Sequence, residues 1–248
     1  MNFTPGEASL YLQRLSDKIH HGRDIEVILA PSSISLQSLS LQVNRRQFKL
    51  AAQNFYWRDF GAYTGEIAIS QLRGIVDYAI IGHSERRHIF CETDKDIRAK
   101  VAAAVRNDIT PILCIGETSS ERDFGETSDV IRDQLIGGLS DITDSDIDKV
   151  IIAYEPVWAI SSTKDAKLAS PDDIADAVRQ IRKQIERLYG KDTAESISVL
   201  YGGSVDADNV MAYLVVPGID GTLVGSASLV TDKFTGIVEK ANELEKNE

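Results

Sequence analysis

Short apolar runs rich in β-branched residues recur along this chain, with longer amphipathic segments between them. The runs are EVILAP (26–31), FKLAAQN (48–54), YAIIGHS (78–84), TPILCIG (110–116), VIIAYEPVW (150–158), SVLYGGS (198–204) and GTLVGSASL (221–229). The clearest helical patterns lie at 94–107, 171–189 and 206–214. Two helix starts carry the full capping signature of a hydroxyl, a proline and an acid three residues after the cap: Thr4, Pro5 and Glu7, then Ser170, Pro171 and Asp173. Leu10, Leu12, Leu15 and Ile19 continue the first of these at roughly helical spacing. Strands alternating with helices predict βαβ units around a parallel sheet, and strands apolar throughout predict a sheet covered on both faces. A closed α/β barrel and a doubly wound open sheet both satisfy this rhythm. The barrel is favoured, because no strand is followed by the G-x-G-x-x-G dinucleotide fingerprint. The first helix is anomalous, since no strand precedes it.

Composition narrows the class. The 248 residues are 43% hydrophobic and 26% charged, with no low-complexity linker, which predicts a single domain over 1–248. A net charge of −11 argues against nucleic acid or an anionic membrane as partner, but not against a small anion held by backbone N–H groups. Cys91 and Cys114 lack metal-ligand spacing and read as free thiols of a reducing cytoplasm. No secretory signal and no membrane-length apolar run is visible. The acidic stretch DITDSDIDK (141–149) reads as a solvated loop and cap.

Most of the runs end in polar residues or glycine, and in a barrel those ends share the C-terminal face, where barrel enzymes place their chemistry. Glu155 ends one run and is a candidate general base; the plainer alternative is an exposed acid capping a helix. His83 follows AIIG and precedes SERRH. It suits an acid or electrophile close to a helix start, which disfavours its protonation, or a purely structural hydrogen-bonder. YGGS and LVGSAS close the last two runs, where backbone N–H groups can cradle a phosphate.

Read together, AAQN, GAYTGE, GHSERR, CIGE, AYEPVWAI, LYGGSV and IDGTLVGSASL occur in the order of the triosephosphate isomerase family, which the chain resembles from Met1 almost to its C-terminus. The resemblance implies a (β/α)8 barrel and a cofactor-free, metal-free isomerase. Such an enzyme interconverts dihydroxyacetone phosphate and D-glyceraldehyde 3-phosphate through an enediolate, as a step of glycolysis and gluconeogenesis. It implies that Glu155 moves the proton and that neutral His83 polarises the carbonyl, a scheme known as an example of tuned acid–base chemistry. It makes PVWAISSTK a lid hinged at Pro156, Val157 and Trp158 and latched by Tyr201 and Ser204. Ser161, Ser204, Gly225 and Ser226 face the phosphate. Cys114 takes a buried position. The loop 54–66, with Thr64, implies docking into a second copy, hence a homodimer.

The sequence also departs from the family pattern. The family opens with a strand ending like NWKMN, whose Lys contacts substrate and whose Asn helps hold it. Met1-Asn2 aligns with the last two letters, so the first strand and its lysine are absent from the sequence. Asn2 remains, and Glu85, which pairs with that lysine in the family, loses its partner. Impaired isomerase activity is the expectation; a non-catalytic phosphate-binding or assembly homologue is the alternative. Cys91 and Ser226 replace glycines of the family, and at Ser226 a positive φ would be resisted. The lid reads SSTKDAKLAS in place of GTGKT.

Overall fold

The structure, a computed structural model, describes residues 2–22, 24–160 and 166–245. Seven parallel strands pair in chain order: β1 (Ile28–Leu29), β2 (Lys49–Ala52), β3 (Tyr78–Ile81), β4 (Thr110–Ile115), β5 (Ile151–Tyr154), β6 (Val199–Tyr201) and β7 (Gly221–Thr222). Every one falls inside an apolar run read from the sequence. The helices are α1 (Pro5–Lys18), α2 (Ser33–Ser40), α3 (Ser84–His88), α4 (Asp94–Arg106), α5 (Ser119–Asp123), α6 (Thr127–Leu139), α7 (Pro171–Tyr189), α8 (Lys191–Ser196), α9 (Val210–Leu214) and α10 (Thr231–Glu245). This is an α/β barrel architecture short of one strand.

Local chemistry sets the helix starts. Thr4 and Glu7 form a reciprocal capping box at α1, and Ser170 and Asp173 form one at α7, each with its proline in the first turn. α7 buries one stripe, including Ile174, Val178, Ile181 and Ile185, against the sheet and its neighbours. The helix expected over 206–214 forms only from Val210. The Asp206 carboxylate accepts from the backbone N–H groups of Asp208 and Asn209, and Asn209 Oδ1 accepts from Asp206 N–H. These local bonds hold the first four residues in a turn, as short polar side chains do in competition with a helix.

Among the described residues no strand pairs β1 with β7. In the outer layer α1 and the segment after it meet α10 and the turn before it: the Tyr11 hydroxyl donates to Ser228 O, Lys18 pairs with Asp232, and Asn242 joins the backbone of His20 and Gly22.

Register brings the strand ends level. Ile115 lies opposite Tyr154, and Tyr154 opposite Tyr201, so Gly116, Glu155 and Gly202 follow side by side. Glu155 N–H donates to Ile115 O at 2.7 Å and Gly202 N–H to Tyr154 O at 2.8 Å. A Cβ on Gly116 would lie 2.1 Å from the Glu155 carbonyl oxygen, and one on Gly202 would lie 2.7 Å from Glu155 Cγ. Glycine is thus required on both flanks of Glu155. Gly116→Ala is expected to cost roughly 1–3 kcal/mol of stability, because the obstacle is the Glu155 backbone, which must shift; chemical denaturation of the two proteins measures it, and an unchanged midpoint would refute the contact.

Candidate active site

The side chain of Glu155 is buried, with the residue only 3% exposed, although it lies beyond the end of β5. The alternative of an exposed capping acid is therefore excluded. Its Oε1 lies 3.0 Å from His83 Nε2, and its Oε2 accepts from Ser84 N–H at 3.3 Å. His83 caps α3: Nδ1 accepts from Glu85 N–H at 3.3 Å. An acceptor role for Nδ1 places the imidazole proton on Nε2, facing Glu155, and this is the neutral tautomer that a hydrogen-bond donor to a carbonyl requires. Burial pulls the His83 pKa down, but the hydrogen bond and charge of Glu155, with the charge of Glu85, push it up further, so the net shift is upward. Against the sequence-based expectation that the helix start lowers it, the Glu155 carboxylate at Nε2 and the Glu85 carboxylate near Nδ1 turn the shift upward.

Arg87 braces this arrangement from behind. Its Nε donates to Gly82 O at 2.7 Å, its Nη2 to Cys114 O at 3.0 Å, and its Nη1 pairs with Asp94. Cys114 is fully buried, and burial together with the nearby Glu155 charge pushes its thiol well up, so it stays a protonated packing group. Arg86 pairs with Glu92, and Glu92 also meets the buried Lys100 at 2.9 Å. Lys100 donates at 2.7 Å to Asn54, the first residue of the 54–66 loop. This buried cation was not singled out from sequence, where it is one lysine in an amphipathic helix.

The second carboxylate was also missed. Glu117, two residues beyond β4, is completely buried. It accepts from Trp158 Nε1 at 2.7 Å and from the Tyr154 hydroxyl at 3.1 and 3.2 Å. Burial raises its pKa, while those donors and Arg122 hold it down in part. Glu117 O also accepts from Val157 N–H at 2.9 Å, so the segment after Glu155 is fixed by backbone and side chain alike. Pro156 precedes a 3-10 turn, Val157–Ala159, which carries Trp158.

The remaining expected site residues are dispersed. Ser204 N–H and Oγ both donate to Ala159 O, at 2.9 and 2.8 Å, tying the 3-10 turn after Pro156 to the loop after β6. Tyr201 is buried, with its hydroxyl unpartnered among the described residues. Gly225 and Ser226 are exposed at the start of a 3-10 turn, Ser226–Leu229, and Ser226 is not among the residues with positive φ. The steric objection to serine at 226 is thus removed. Cys91 does adopt φ 55°, the conformation that glycine tolerates best. Asn2 is exposed, with no hydrogen bond to His83 or Glu155. Glu85 places a carboxylate oxygen 4.0 Å from His83 Nδ1. Thr64 sits at the exposed crest of its loop, in which Tyr56 packs on Trp57 and Tyr63 and Phe60 is 90% exposed. Ser161 lies outside the described residues. Among the described residues no group of three or more His, Cys, Asp or Glu side chains could hold a metal ion, and no helix is long and apolar enough to cross a membrane.

This geometry offers one carboxylate and one imidazole in mutual contact at the C-terminal end of a parallel sheet, a pair able to move a proton on one atom while donating to an oxygen beside it. Comparison with known proteins agrees. The family model described as triosephosphate isomerase matches residues 1–241. A triosephosphate isomerase of Caldanaerobacter subterraneus subsp. tengcongensis is 42% identical over 239 residues, covering 96% of this chain and 95% of that protein. Those of Streptococcus mutans (38%; 96% of this chain, 94% of that one) and Alkaliphilus oremlandii (39%; 96% and 95%) are similar over the same extent. With its strand order, its strand-end residues and this match along nearly its whole length, the chain belongs to the triosephosphate isomerase family.

Proposed function

We propose that this chain interconverts dihydroxyacetone phosphate and D-glyceraldehyde 3-phosphate. Glu155 transfers the proton between the two carbons, and His83 donates from Nε2 to the carbonyl oxygen and stabilises the enediolate. The observation that carries this reading is the 3.0 Å contact of the buried Glu155 Oε1 with His83 Nε2 among glycine-flanked strand ends. The two groups face each other. A substrate carbonyl entering between them takes the Nε2–H, and the adjacent C–H then meets the freed carboxylate oxygen. Backbone N–H groups at Gly225 and Ser226, with Ser161 and, once released from Ala159 O, Ser204, hold the phosphate in this scheme, which suits an anionic ligand on a chain of net charge −11. Pro156, Val157 and Trp158 serve as the first lid hinge, with Tyr201 and Ser204 as its latch. The exposed, aromatic-rich 54–66 loop docks into a second copy, which makes the working form a homodimer. A soluble, cytoplasmic, glycolytic enzyme is the corresponding cellular reading.

Two outcomes follow from these roles. Glu155→Asp withdraws the carboxylate by about one methylene and is expected to lower kcat on the order of 10²-fold with folding intact. A coupled isomerase assay reads it, and an undiminished kcat would remove Glu155 from the reaction.

The second concerns positive charge. Among the described residues, the arginines beside the site are already engaged, Arg86 with Glu92 and Arg87 with Asp94. A preorganised donor to a developing oxyanion is worth roughly 2.7–4 kcal/mol, or 10²–10³ in rate. Residues 1–248 are therefore expected to turn over at least ~10²-fold more slowly than the same chain preceded by a strand ending in lysine. Equal rates would mean that another group supplies the charge. Phosphate binding without any turnover in either form would favour the non-catalytic alternative.

A further inference from the structure

Arg122 has no part in the roles assigned above, yet it touches both elements that follow the proposed base. Its guanidinium carbon lies 3.8 Å from the centre of the Trp158 ring, and its Nη2 donates to Asp173 Oδ1 at 2.8 Å. Trp158 is three residues beyond Glu155, and its indole N–H is spent on the buried Glu117 carboxylate. Asp173 is the acid of the α7 capping box, with its other oxygen accepting from Ser170 N–H and Oγ. One side chain on α5 therefore stacks on the indole just after Glu155 and is itself held by the first turn of α7.

We propose that Arg122 is a positioning residue for Glu155: stacked on Trp158 and anchored by Asp173, it locks the indole onto Glu117 and so fixes the backbone that carries the base. The chain of contacts is continuous. Glu155 N–H is bonded to Ile115 O, Val157 N–H to Glu117 O, and Trp158 Nε1 to the Glu117 carboxylate. The last of these is the only side-chain bond in the series, and it depends on indole orientation. A planar guanidinium suits that task because it covers a ring face while its edge pairs with a carboxylate, which an ammonium cannot do as well. Arg122 also supplies a positive charge towards Glu117, whose other polar neighbours, Tyr154 and Trp158, are neutral.

The inference rests on the isomerase reading for its kinetic consequence but not for its structural one, so the test has two arms. Trp57 and Trp158 are the two tryptophans of the chain, so in a Trp57→Phe background all indole emission reports Trp158. In that background, Arg122→Met is expected to red-shift the emission and to raise acrylamide quenching at least about twofold, with Asp173→Asn following it and the double variant adding little. Removing the cation leaves Glu117 easier to protonate, so the quenching should rise further as pH falls, at a higher pH than in the parent. In the kinetic arm Arg122→Met is expected to lower kcat about tenfold or more with KM changed less than about threefold, since a 1 Å misplacement can cost 10²-fold. Arg122→Lys is expected to restore the pH response and only part of kcat. Unchanged emission and quenching in Arg122→Met, or in Asp173→Asn should the first variant fail to fold, would overturn the proposal. So would disordered emission with an undiminished kcat. A parent chain without turnover would sink the isomerase reading and leave this one to be decided by the quenching alone.

Discussion

The structure depends on burying one carboxylate, Glu155, at the end of a strand. A buried carboxylate is expensive unless its oxygens find partners, and at Glu155 Oε1 faces the His83 ring Nε2 while Oε2 accepts from the Ser84 backbone N–H. Both come from the single turn after β3, two strands away in the sheet order, so the register β3–β4–β5 must be correct before either contact exists. The space between is kept open by glycine. Gly116 on β4's exit and Gly202 on β6's exit let two neighbouring chains approach Glu155 more closely than any side chain would allow. The helices then serve the strand ends: α3 orients His83 through its first-turn N–H, and Arg87 reaches from α3 to the carbonyls of Gly82 and Cys114.

A second buried carboxylate, Glu117, sets the next layer. It gathers the Tyr154 hydroxyl and the Trp158 indole, and its own carbonyl takes Val157 N–H. The two acids divide the work. Glu155 faces a ring nitrogen and a backbone N–H of the turn after β3, whereas Glu117 is held by the Tyr154 hydroxyl and the Trp158 indole. The difference lies in what faces each carboxylate rather than in its chemical type.

Much of this was legible in the chain. The seven apolar runs became the seven strands because each combines a strand-length apolar stretch with a punctuating glycine, proline or polar pair. The capping boxes at Thr4 and Ser170 are local, and local signals survive into the fold. The candidate pair His83 and Glu155 was legible because both residues break apolar runs. Glu117 and Arg122 were not, because their roles arise from neighbours 37 to 51 residues distant along the chain, and no periodicity marks a contact of that range. Asp206 misled for the opposite reason: its helical spacing was real, but its carboxylate bonds the next backbone N–H groups and delays the helix. The upward shift of His83 likewise needs Glu155 in place across the sheet.

The central claim is that Glu155 and His83 together exchange a carbon-bound proton of a triose phosphate. Nuclear magnetic resonance of dihydroxyacetone phosphate incubated with the protein in D2O measures this directly, through loss of the C–H signal and appearance of deuterated product. The account expects exchange and isomerisation in the parent protein and neither in Glu155→Gln, which keeps the shape and removes the base. Exchange at the parent rate in Glu155→Gln, or isomerisation with no deuterium entering any product, would contradict it.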